Sequence, residues 1–305
     1  EAKVVIRHDA SSAVVVKVVD GLRTNLKNAL ETGKVLLGRA IRADDEDGPR
    51  GALAHPSVAM LRLIDDVEAG VSDDRFLNQH LTISSETSTK PLLTTVDVLD
   101  SLQRRGALSA TKVQEARTAL RRANYALMPL SVQELADLVS SAPILNGTLV
   151  ETGELRAIRE SIQRIRMSDL LQFPKELPWL NSVLGASLLV LKQQWTGELD
   201  EAAACARSDW LLKLSDVQGW THRLNEGAEQ LADRYLNWVA LLMILAVAQP
   251  RPVKEAYSRW FGSRILNPIA NEDPKAYVLL LERAKVVVAR GVDFSAEELE
   301  AGNGS

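Results

Sequence analysis

The sequence predicts an α/β segment with a parallel sheet over residues 1–145, followed by an all-helical, Trp-rich domain over residues 146–305, with helix dominating the whole. Three observations carry this. At 305 residues the chain is about twice a typical single-domain length, and 46% hydrophobic with 25% charged residues is the composition of chains that bury a core. In the first half, short apolar bursts alternate with helical periodicity, the βα texture of a parallel sheet. All six tryptophans, Trp179, Trp195, Trp210, Trp220, Trp238 and Trp260, fall in the second half.

The elements follow in order. Residues 3–7 (KVVIR) read as a short strand, and residues 11–37 as mostly helix, with Val19, Leu22, Leu26 and Leu30 recurring at spacings of three and four. Residues 44–49 (DDEDGP) read as an exposed loop. Pro56 suits the first turn of a helix to about residue 68, with Val58, Leu61 and Ile64 on one face. Residues 69–72 have the character of a strand end. After a helical or irregular stretch, residues 91–95 (PLLTT) read as a buried strand, and residues 96–105 as a helix stopped by Gly106. Ser109 is placed to cap a helix through Ala123. Residues 125–130 (YALMPL) read as a strand, and Ser131 with Glu134 makes the Ser-x-x-Glu signature of a capped helix start. From Asn146-Gly147 onward the pattern is helical, with helices expected over 154–167, 180–194, 198–214, 224–248, 253–261 and 273–289. No repeat of fixed period appears, against a solenoid.

Charge and composition exclude several function classes. Lys and Arg total 36 against 40 Asp and Glu, a net charge of -4, so the chain has no overall basic coat for nucleic acid. The most apolar run, residues 238–248, is about half the ~20 residues of a membrane span. No signal peptide is visible, and the single cysteine, Cys205, has no intrachain disulfide partner. These features predict a cytoplasmic protein with no membrane partner. The start at Glu1, close to the apolar Val4-Val5-Ile6, reads as a chain that begins inside a larger protein or was trimmed.

The densest acidic cluster is Asp65, Asp66, Glu68, Asp73 and Asp74. Asp73 and Asp74 directly follow a short strand, and ligands of parallel sheets bind at the carboxyl ends of strands. Carboxylates gathered there repel one another unless a hard cation such as Mg²⁺ or Mn²⁺ neutralises them, and such a cation can activate water against a phosphodiester. Equally, acids at a strand end cap a following helix through its free N–H groups.

The order of these segments resembles the C-terminal half of PIN domains, over about residues 3–140. It is similar in particular to PIN-like modules of large multidomain bacterial proteins, with SDDRFLN as the acidic turn and TTVDVLDSL as the helix entry. The resemblance implies an α/β nuclease, acting mostly on RNA, with three or four acids holding one or two divalent ions. By position it makes Asp73 the main metal ligand, Asp74 a second ligand or water-orienting group, and Thr94 or Thr95 the small hydroxyl residue near the site. The family's first acid has no clear counterpart here; Asp9 is a stand-in, and the helix acid falls among Asp65, Asp66 and Glu68. The first strand of the fold is therefore expected to be missing. The missing acid leaves a second reading open, a non-catalytic module in which a degenerate PIN core and the Trp-rich helices bind a partner protein or other domains of the same polypeptide.

The remaining chemistry-bearing residues read more plainly. His8, His55, His80 and His222 have no zinc-ligand spacing. Cys205, in an alanine-rich helix face, reads as packed core. Arg156, Arg159, Arg164 and Arg166 interleave with Glu151, Glu154 and Glu160, which reads as a salt-bridged face or, alternatively, a phosphate-contacting edge, with Arg104-Arg105 and Arg121-Arg122 as further contacts. Most tryptophans are expected in the core, with Trp220 or Trp260 available at helix ends for a protein-binding patch.

Overall fold

The computed structural model describes residues 12–35, 64–85, 87–168, 170–171, 176–215, 228–245 and 249–289. The expected strand at 3–7, the loop at 44–49 and most of the helix expected over 56–68 lie outside the described residues. Helix dominates, as expected, and the chain divides into two compact units, residues 1–95 and 96–305. The division by contacts thus comes earlier in the chain than the change of texture at 145/146.

In the first unit, α1 (Ser12–Glu31) is followed by a single 3-10 turn, Ile64–Asp66, and then by three short strands: β1 (Gly70–Val71), β2 (Thr82–Ser84) and β3 (Thr89–Leu93). The sheet order is β1-β3-β2. β1 runs parallel to β3 with Gly70 opposite Leu92, while β2 runs antiparallel to β3 with Ile83 opposite Lys90. The sheet is therefore mixed, where a parallel one was expected. The cause is the short connection between β2 and β3: a few residues can join antiparallel neighbours, whereas a parallel pair needs a crossover of roughly a dozen residues or more. A small core of Ile64, Ile83 and Leu92, with Leu77 packed against it, holds this unit together.

The second unit takes up the chain at α2 (Thr95–Arg104), which begins at the junction. Gly106 ends it at φ +71°, and the amides of Gly106 and Ala107 bond back to the carbonyls of Gln103 and Leu102, the left-handed glycine stop its position predicts. α3 (Ala110–Arg122) is capped by the Ser109 hydroxyl, which accepts from the Lys112 amide, and α4 (Val132–Ser141) by the Ser131 hydroxyl, which accepts from the Glu134 amide.

Residues 125–130 do not form the expected strand. Asn124 and Leu127 adopt positive φ, and two carbonyls of this stretch accept from side chains instead of a ladder: Met128 from the Trp179 indole N–H and Pro129 from Arg121. The segment still delivers Met128 and Leu130 to the interior, so its apolar pattern reports burial rather than pleating.

The helical reading of the chain from Asn146 also needs correction. β4 (Ile144–Leu145) and β5 (Thr148–Leu149) form a hairpin whose two turn residues, Asn146 and Gly147, have φ of +50° and +69°. Both angles are those of the Asn-Gly hairpin turn, whose twist matches that of the flanking strands.

Beyond it lie α5 (Gly153–Met167), α6 (Glu176–Gln193), α7 (Glu201–Ser215), α8 (Ala228–Ile244), α9 (Arg251–Phe261), a π turn (Gly262–Leu266), α10 (Asn267–Glu272) and α11 (Pro274–Ala289). One apolar core runs from Leu130 and Leu135 to Leu280 and Ala284. α5 contributes Leu155, Ile158, Ile162 and Ile165 at helical spacing, and α6 is buried on nearly all sides. Within it Trp195, Tyr257, Trp260 and Phe261 pack ring on ring, with the centroids of neighbouring rings 5.2–5.9 Å apart. Trp195, Trp210, Trp238 and Trp260 are all buried. Trp260, considered for a surface patch, instead donates its indole N–H to Asp209; Trp220 lies outside the described residues.

Candidate functional site

The residues singled out for chemistry, Asp73, Asp74, Thr94 and Thr95, do come together, all within the first unit. Pairing of β1 with β3 is extended by a hydrogen bond from the Ser72 amide to the Leu93 carbonyl, which brings the two strand ends side by side. Asp73 leaves β1 just where Thr95 leaves β3. One Asp73 oxygen accepts from the Thr95 amide at 2.9 Å and the other from the Thr95 hydroxyl at 2.6 Å. Since Thr95 is the first residue of α2, the carboxylate satisfies that residue's otherwise unbonded amide.

Asp74 is turned elsewhere. Its Oδ1 accepts from the amides of Phe76 and Leu77, at 2.9 and 3.0 Å, holding the 3-10 turn Leu77–Gln79. Thr94 is half-buried between the strand and the helix.

Among the other acids, Asp65 has the densest environment. One of its oxygens receives the hydroxyls of Ser85, Ser88 and Thr87, at 2.5, 2.6 and 2.9 Å. Those hydroxyls, Ser85 foremost, hold its carboxyl below the ordinary value. Its role is to fasten the β2–β3 connection to the turn that precedes β1. Asp66 and Glu68 are exposed.

A divalent ion needs carboxylate oxygens that converge on one point. Asp73 and Asp74 are neighbours in sequence, but both Asp73 oxygens accept from Thr95 whereas Asp74 Oδ1 accepts from the amides of Phe76 and Leu77. Among the described residues no three His, Cys, Asp or Glu side chains gather in an arrangement able to hold a metal ion. The arrangement drawn by these residues therefore does not fit the Mg²⁺ or Mn²⁺ centre that the resemblance implies. What it does fit is a joint between two strand ends and a helix start.

The strongest polar constellation lies in the second unit and was only partly visible in the sequence. Glu134, read as half of a capping signature, does not reach back to Ser131. It accepts instead from Arg121, Gln114 and Arg117, three residues of one α3 face. Arg121 is 2% exposed and also donates to the Pro129 carbonyl at 3.0 Å. Arg117 also pairs with Asp100 at 2.9 Å. Burial pushes the Glu134 carboxyl up, but the hydrogen bond and charge of Arg121, helped by Gln114 and Arg117, more than offset this and hold it below the ordinary value. Arg121, considered as a phosphate contact, is thereby committed to the core.

The arginines of α5 divide similarly. Arg159 forms a two-pronged bond to Glu151 and a further bond to Gln163. Arg164 donates to the Arg121 carbonyl at 2.6 Å, closing the end of α3. The salt-bridged reading therefore describes Arg159, whereas Arg156 is exposed. Glu151 also accepts from the Trp210 indole at 2.9 Å. Cys205 is half-buried, and desolvation, with Glu201 and Asp209, pushes its thiol up, away from thiolate chemistry.

No family model, no curated protein and no solved structure matches this chain. None of the described helices is long and apolar enough to cross a membrane.

Proposed function

We propose that the chain is a non-catalytic interaction module in which a degenerate PIN-like core presents a docking surface to a partner protein or to other domains of the same polypeptide. The observation that carries this reading is the commitment of both Asp73 oxygens to Thr95. A carboxylate engaged in this way holds the first residue of a helix in place. α1 supports the interaction half of the reading, because Val16, Val19, Leu22 and Leu26 lie on one helical face and are exposed at 37–65%. The test uses the chain as bait, beside a Leu22→Asp/Leu26→Asp variant. A partner held by the original chain and lost by the variant supports the module. Equal capture by both baits, or capture by neither, contradicts it.

A metal-dependent, RNase-type nuclease is the second reading. One observation favours it: Asp73, Asp74, Thr94 and Thr95 lie at the adjacent carboxyl ends of two parallel strands, where sheets of this kind bind ligands. Mn²⁺-dependent cleavage of single-stranded RNA that disappears in Asp73→Asn would restore this reading and displace the first.

A further inference from the structure

We infer that α1 is a self-association helix, its apolar seam pairing with the same seam of a second copy of this chain as a two-stranded coiled coil, which rests on the interaction reading above and gives it a partner. Among the described residues, every side chain of α1 from Val16 to Asn28 is exposed, and none of α1 joins either apolar core. Helices draw most of their stability from packing an apolar face rather than from propensity. α1 has little propensity to draw on, since Val14, Val15, Val16, Val18, Val19 and Gly21 are all poorer helix formers than alanine. A second surface is therefore needed to cover it.

The spacing along α1 says which surface fits. Val15, Val19, Leu22, Leu26 and Ala29 follow one another at intervals of four, three, four and three residues. This is the alternation of the a and d positions of a heptad, with Val19 and Leu26 at a and Leu22 at d, and it keeps one narrow seam turned toward one partner helix. Val19, Leu22 and Leu26 are exposed at 37%, 65% and 52%. Lys17, Asp20, Thr24, Lys27, Asn28 and Glu31 fall at the outer positions of the same heptads.

Charge selects the occupant. Arg23 pairs with Asp20 at 3.8 Å and Lys27 with Glu31 at 3.9 Å, both within the helix. The seam itself is uncharged, and the charges nearest to it are balanced locally. It asks for neither an acidic nor a basic partner, and nothing on it repels an identical helix, whose apolar side chains have the same spacing. Twenty residues hold fewer than three heptads, so the seam is short and the dimer is expected to be weak, in the micromolar range.

The test is sedimentation equilibrium of the full chain over about 1–100 µM, where a monomer–dimer equilibrium is expected. Leu22→Asp/Leu26→Asp puts four charges into the seam of the pair and is expected to weaken it by roughly a hundredfold or more, leaving a monomer throughout. Thr24→Asp/Asn28→Asp adds the same number of acids on the outer face and is expected to leave the dimer intact. Near-UV dichroism of the Trp195–Tyr257–Trp260 cluster reports that the helical unit is folded in each variant. A monomer at every concentration, a dimer that survives Leu22→Asp/Leu26→Asp, or equal loss of the dimer in both variants overturns the inference. A monomeric chain that still captures a different protein, lost in Leu22→Asp/Leu26→Asp, overturns self-association alone and leaves the interaction reading standing.

Discussion

Glu134→Ala removes the acceptor on which Arg121, Arg117 and Gln114 converge. Arg117 retains Asp100, at 2.9 Å. Arg121, 2% exposed, is left with the Pro129 carbonyl alone. An uncompensated charge at that depth costs about 3–5 kcal/mol. With a urea slope of about 3 kcal/mol/M, the unfolding midpoint of the helical unit falls by roughly 1–1.7 M. Urea titration followed by far-UV circular dichroism measures this. The companion Arg121→Met/Glu134→Leu removes both charges and fills the space with apolar atoms, and is expected to be more stable than Glu134→Ala by at least about 1 kcal/mol. The pH dependence follows from the lowered Glu134 pKa. The pair's stabilisation is full above the ordinary glutamate value of 4.5 and is lost as pH falls through the lower folded value. A midpoint shift in Glu134→Ala below roughly 0.3 M, or a double variant no more stable than the single, would refute the claim that this network bears on stability.

Four further outcomes follow. Asp73→Ala uncouples the strand end from the start of α2 and should lower stability by about 0.5–2 kcal/mol, read as a fall in melting temperature. Gly147→Ala meets no neighbouring atom but must hold φ at +69°, so a loss of about 1 kcal/mol from backbone strain alone is expected in the same assay. Glu151 is held below its ordinary pKa by the Arg159 hydrogen bond, against desolvation and with help from Trp210. Its stabilisation is therefore present above the ordinary value of 4.5 and lost below it, and Glu151→Gln should flatten the acid limb of the melting-temperature profile. Trp195→Ala takes a fully buried ring from the cluster with Tyr257 and Trp260, at a cost of about 3–5 kcal/mol and with collapse of the near-UV dichroism.

Features encoded by adjacent residues were legible in the sequence. Ser109 and Ser131 cap the helices they were expected to cap, and Gly106 stops α2, because each acts on amides or carbonyls within a few residues of itself. The Asn146-Gly147 hairpin was equally local, and its signal was outweighed by the helical periodicity that follows it. β2 was hidden for another reason: its alternation, with Ile83 inward between Thr82 and Ser84, spans only three residues, too few to stand out in the sequence. The strand expected at 125–130 failed because burial and pleating leave the same apolar mark, and only Asn124 and Leu127 at positive φ tell them apart.

At the candidate site, the order of segments was enough to bring Asp73 and Thr95 together. It carried no information about which donors the carboxylate would meet, since that depends on the register of β1 against β3. The Arg121–Glu134 pair joins separate helices and answers to no periodicity, so Arg121 read as a surface cation until its burial was known.

The central claim is that Asp73 is a joint between a strand end and a helix start rather than a metal ligand. A calorimetric Mn²⁺ titration of the chain beside its Asp73→Asn variant tests it most directly. The account predicts no saturable heat in either protein, together with a lower melting temperature for the variant. Stoichiometric binding by the original chain that vanishes in Asp73→Asn would contradict it and put a metal centre at the end of β1.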